Sequence, residues 1–93
     1  MAKLVRDKIP EIAPNYKYRR ADEREALKLL LDKVVEEALE LRENPSIEEI
    51  ADVYEALLAT AKWLGYSWND VEEVAKKKRM ERGGFEGLWV QEV

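Results

Sequence analysis

The 93-residue chain contains no cysteine and no histidine. The missing cysteines exclude disulfide staples, thiolate zinc sites and a cysteine nucleophile. The missing histidines exclude imidazole metal sites, Ser-His-Asp triads and the commonest general base. No apolar run approaches the roughly 18–20 residues that span a bilayer, and the opening residues do not have the form of a signal peptide. A cytoplasmic protein with no membrane partner is expected. Carboxylates, amines, guanidinium groups and hydroxyls remain for chemistry. Any metal must therefore be a hard cation held by oxygen.

What the chain does have is charge. Charged residues make up 39% of it, against roughly 25% in soluble domains. With cysteine absent and uncharged amides few, this composition points to a thermophilic source. The charge is segregated. Residues 1–20 carry six basic and two acidic side chains, residues 21–55 four basic and twelve acidic, and residues 56–93 six of each. The net charge is -4 and the pI is about 5.0. A nucleic-acid binder needs a dominant basic face, so none is expected as partner. An acidic centre with basic ends suits a phosphate-bearing ligand with divalent cations between.

The length allows one domain, residues 1–93, of a size that favours association. The head, with Pro10 and Pro14, reads as extended chain with a short helical turn near Asp7 to Ile12. Asp22 with Glu25 resembles a capping box and opens a helix over about Glu23 to Glu43, which Asn44-Pro45 ends. Ser46 with Glu49 opens a second, from about Ile47 to Leu64, stopped by Gly65. Ser67 with Asp70 opens a third, running to about Arg82 before Gly83-Gly84. The tail ends in Leu88-Trp89-Val90 and reads as an extended arm. Three main helices with tight connections, plus a short N-terminal segment, predict an all-α bundle.

At about 100° per residue, Glu37 lies at the edge of the apolar arc of the first main helix, with Glu40 beside it and Lys33 between them. On the second, Glu49 and Asp52 share an arc with Val53, Ala56, Leu57, Ala59, Thr60, Trp63 and Leu64. Both acid pairs are spaced i,i+3, which places each pair on one helical face. Two antiparallel helices can bring the pairs together. The four carboxylates then repel one another unless a divalent cation joins them. Without histidine or cysteine, the choice is Mg²⁺, with Mn²⁺ as the other candidate. Other readings stand beside this one. Glu36 fits a solvated face, Glu49 fits a capping partner for Ser46, and Asp52 fits a structural ion pair with Lys33. On the third helix, Lys78 and Arg82 continue the apolar stripe. They read as phosphate-facing, or as favourable charge at a helix C-terminus.

Together these residues resemble a family. Glu36-Glu37-x-x-Glu40 followed by Glu49-x-x-Asp52 is similar to the EExxE…ExxD motif of the all-α nucleoside triphosphate pyrophosphohydrolases. That superfamily includes MazG, the phosphoribosyl-ATP pyrophosphohydrolases and the dimeric dUTPases. The opening Lys3-Leu4-Val5-Arg6-Asp7-Lys8-Ile9-Pro10 and the closing Lys78-x-x-x-Arg82-Gly83-Gly84-Phe85 resemble its compact MazG-like, phosphoribosyl-ATP pyrophosphohydrolase-like subgroup. The resemblance spans about Lys3 to Phe85. Phosphoribosyl-ATP enzymes commonly carry Tyr-His soon after the aspartate, whereas Val53-Tyr54-Glu55 stands here.

The resemblance implies Mg²⁺-dependent cleavage of a nucleoside triphosphate, standard or not, between the α and β phosphates, in a house-cleaning role. Phosphoribosyl-ATP hydrolysis in histidine biosynthesis, and a non-catalytic nucleotide-binding or oligomerisation relative, are the alternatives. By motif position Glu37, Glu40, Glu49 and Asp52 are metal ligands, and Glu36 supports them or acts as base. Lys78 and Arg82 bind the leaving pyrophosphate, with Lys3, Arg6 and Lys8 as further phosphate-binding candidates. Trp63 and Tyr54 are stacking candidates for a base, although helical aromatics are more often core. The superfamily is typically dimeric or tetrameric, so a homodimer or homotetramer is expected.

Overall fold

The computed structural model describes residues 2–92, and among them there are four helices and no strand. They are α1 (Ile9–Ile12), α2 (Glu23–Glu43), α3 (Ile47–Trp63) and α4 (Trp68–Arg82). The all-α expectation holds, with α1 a single turn that starts two residues later than the expected Asp7 to Ile12 segment.

Local chemistry sets the helix ends. The Asp22 carboxylate accepts from the Arg24 and Glu25 backbone N–H groups at 2.9 and 3.0 Å. This satisfies two of the donors a helix start leaves orphaned. The reciprocal half of the expected box is missing because the Glu25 side chain pairs with Arg19 instead, at 2.8 Å. At Ser67 both halves form. Its hydroxyl accepts from the Asp70 N–H and Asp70 accepts from the Ser67 N–H. At the end of α3 the Gly65 N–H donates to Lys62 and the Tyr66 N–H to Ala61. Gly65 takes φ +89°. That is a Schellman motif, whose left-handed residue strongly favours glycine.

The main contact is α2 against α3, joined through Asn44-Pro45-Ser46; α4 touches α3 through a smaller interface. Small side chains make the close approach. Ala26, Ala56, Thr60 and Ala61 are buried, and no large side chain is fully buried among the described residues. The Thr60 hydroxyl donates to the Ala56 carbonyl at 2.8 Å, which satisfies a polar group that burial would otherwise penalise. Tyr54 and Trp68 meet edge to face with centroids 5.1 Å apart, a favoured aromatic geometry. This pair ties α4 to α3.

Two expectations need correction. Leu57, Trp63 and Leu64 share the apolar arc of α3 with Glu49 and Asp52, yet each is at least 41% exposed. Lys78 and Arg82 were placed on an inward stripe of α4, yet both face solvent. The reason is the same in each case. Periodicity identifies an apolar face but supplies nothing to cover it. On α4 only Trp68 and Val71, in its first turn, are half-buried. The radius of gyration is 16.3 Å, against about 12 Å for a compact domain of this length. The tail begins with a turn, not a straight arm, since the Leu88 N–H donates to the Phe85 carbonyl at 3.1 Å. No helix among the described residues is long and apolar enough to cross a membrane.

Candidate metal centre

The α2–α3 contact brings three of the four expected ligand acids together. Carboxylate oxygens of Glu37, Glu49 and Asp52 lie within 4.8 Å of one another. Glu37 comes from the middle of α2, while Glu49 and Asp52 come from the first turns of α3. Glu37 is buried, at 8% exposure, and the other two are half-buried. Glu40 lies outside the triad and is exposed. Its pKa is pushed up, chiefly by the charge of Glu37 and with help from burial and from the charge of Glu49.

The Ser46 hydroxyl accepts from the Glu49 N–H at 3.3 Å. The Glu49 side chain makes no return bond to the cap, and its Oε2 is buried with no hydrogen-bond partner. Glu49 is thus not spent on capping. Glu37 Oε2 is likewise buried and unpartnered. A buried carboxylate oxygen without a partner carries a desolvation penalty of about 1–3 kcal/mol, more when charged. Two such atoms in one triad are what a hard cation would satisfy. The donor set, all carboxylate oxygen, suits a hard divalent cation.

Two basic side chains reach the cluster. Lys33 Nζ lies 3.2 Å from Glu37 Oε1 and also pairs with Glu36. Burial alone would lower its pKa, but hydrogen bonds to Glu36 and Glu37 outweigh that and raise it. Glu36 is held below the usual carboxylate range by the hydrogen bond from Lys33, against a smaller opposing effect of burial. Arg6 Nη2 donates to Asp52 Oδ1 at 2.5 Å. The partner of Asp52 is therefore Arg6, not Lys33.

The remaining expected site residues divide. Lys3 sits 3.8 Å from Glu36, and both line an open groove of about 500 Å³. Lys33, Leu29 and Arg19 line the same groove. Lys8, Lys78 and Arg82 form no ion pair among the described residues and are exposed. The i,i+3 and i,i+4 spacing of Lys33 to Glu36 and Glu37 is a signal visible in the sequence, but it does not say that the lysine serves both acids. Nothing local announces that Arg6 meets Asp52, 46 positions away.

No protein-family model, curated protein or solved structure matches the chain.

Proposed function

We propose that this chain is a divalent-cation-dependent nucleoside triphosphate pyrophosphohydrolase, with Glu37, Glu49 and Asp52 holding Mg²⁺. The observation that carries the reading is the pair of buried, unpartnered oxygens, Glu37 Oε2 and Glu49 Oε2, within one carboxylate triad. The motif order of Glu36, Glu37, Glu40, Glu49 and Asp52 supports the substrate class. A bound Mg²⁺ supplies Lewis-acid polarisation of the phosphoanhydride and neutralises phosphate charge.

The chain's own residues do the rest. Lys33 holds Glu37 and Glu36 in place by hydrogen bonds. The hydrogen bond from Lys33 holds the Glu36 carboxyl below the usual carboxylate range, which makes Glu36 a weak base, so its part is to position Lys33 and not to take the proton. Glu40, exposed beside Glu37, completes the ligand set or orders water. Lys3, Arg6, Lys8, Lys78 and Arg82 bind the phosphates.

The same reading includes self-association as a homodimer or homotetramer. Ile47, Ile50 and Leu57 form an exposed stripe along α3 at the i,i+3,i+10 spacing that packs against another helix. Leu31, Val35 and Leu39 are likewise exposed on one face of α2, at i,i+4,i+8. A second copy supplies the cover this stripe lacks.

Pyrophosphate release from a panel of nucleoside triphosphates and phosphoribosyl-ATP, with Mg²⁺ and with chelator, tests the activity. Metal-dependent release is expected from at least one substrate. Asp52→Asn is expected to lower it about 100-fold or more. Absence of metal-dependent release from every nucleotide would refute the enzyme reading.

A further inference from the structure

Arg6 has two features that its assignment as a phosphate ligand does not use. It belongs to the N-terminal arm, not to a helix, and it grips a member of the triad itself. Lys3, the other arm cation paired to α2, contacts Glu36, which is outside the triad. Among the described residues no backbone hydrogen bond ties positions 2–8 to α2 or α3. Side chains alone hold the arm there: Arg6 on Asp52, Lys3 on Glu36, and the half-buried Leu4 against the groove.

We propose that the N-terminal arm is a latch on the triad: Arg6 occupies Asp52 in the metal-free protein and is displaced when a divalent cation takes that carboxylate. This inference rests on the metal reading of the triad. Without a cation, three carboxylates within 4.8 Å repel, and Arg6 relieves part of that repulsion. The pair is weak enough to yield. Both partners are at least one-third exposed, and an ion pair so placed is worth a factor of about five at most. A divalent cation brings twice the charge and draws on three carboxylates at once, so it wins Asp52. Linkage makes the effect reciprocal. If metal loosens the arm, the arm weakens metal binding by the same factor. The freed guanidinium then stands beside the site at the moment a polyphosphate needs a cation.

The chain has no native cysteine, so two engineered ones report alone. Spin labels on Ala2→Cys and Glu55→Cys give the arm-to-α3 distance by pulsed electron paramagnetic resonance, with and without saturating Mg²⁺. Calorimetry gives Mg²⁺ affinity for the unsubstituted chain, Arg6→Gln and Lys3→Gln. The distance distribution is expected to lengthen and broaden with Mg²⁺. Arg6→Gln is expected to bind Mg²⁺ about three- to fivefold tighter. Lys3→Gln removes the same charge from the arm without touching the triad and should change affinity less than about twofold. An unchanged distance distribution at saturating Mg²⁺, or equal tightening by both variants, overturns the latch and leaves the metal centre standing. Failure of all three proteins to bind Mg²⁺ overturns the metal centre, and the latch with it.

Discussion

Along the inner seam of α2 and α3, charge is arranged against charge. Lys33 serves Glu36 and Glu37, Arg6 reaches Asp52, and the small residues Ala56, Thr60 and Ala61 let the helices approach closely. The outer surface of the same helices has no such arrangement. Ile47 and Ile50 of α3 and Val35 of α2 are more than half exposed, and beyond α4 the tail presents Trp89 at 96% exposure. A helix that carries two apolar stripes needs two neighbours, and beside α2 the only further cover on α3 among the described residues is the smaller contact with α4 where Trp68 meets Tyr54. The seam thus leaves Glu37 Oε2 and Glu49 Oε2 buried without a partner, while the outer surface leaves large apolar side chains uncovered.

The contrast can be broken at either side. The largest effect is expected on the outer surface. Ile50→Glu places a charge in the exposed stripe of α3 and should convert an assembled protein to monomers, with a lower melting temperature. Sedimentation and thermal scans at the same concentration check this. An unsubstituted chain that sediments as a monomer would remove the difference between the two surfaces. A smaller effect is expected at the rim of the seam. Glu40 has its pKa raised, chiefly by the charge of Glu37. The folded state therefore favours its protonated form. Losing that proton as pH rises costs stability, and regaining it as pH falls toward the glutamate range restores stability. In chelator, Glu40→Gln should melt higher than the unsubstituted chain at neutral pH, and the gap should close on acidification. A variant that melts lower at neutral pH would contradict the repulsion assigned to the seam.

How far the sequence reached follows the range of each interaction. Asp22, Ser46 and Ser67 announce the three main helices because a cap acts on the next three residues. The limits of α2, and those of α3 and α4 to within a residue or two, were legible on that ground. The acid triad was legible because i,i+3 spacing and a tight turn between helices are both local. Glu40 fell outside it because three carboxylates from two facing helices already converge at the seam. Arg6 was legible as a nearby cation but not as the partner of Asp52, since chain closure over 46 positions leaves no local trace. The exposure of Lys78 and Arg82 was missed because α4 meets α3 only through its start, a tertiary fact that no helical wheel contains.

The central claim is that Glu37, Glu49 and Asp52 form a divalent-cation site. Glu49 offers the cleanest probe, because its carboxylate enters no ion pair among the described residues and its Oε2 has no partner. Thermal unfolding of the unsubstituted chain and of Glu49→Gln, each titrated with Mg²⁺ or Mn²⁺, tests it directly. At a tenfold excess over Kd the unsubstituted chain should melt about 5–10 °C higher than in chelator. Glu49→Gln should melt no lower in chelator and should gain almost nothing from the metal. Equal shifts in the two proteins, or no shift in either, would contradict the claim.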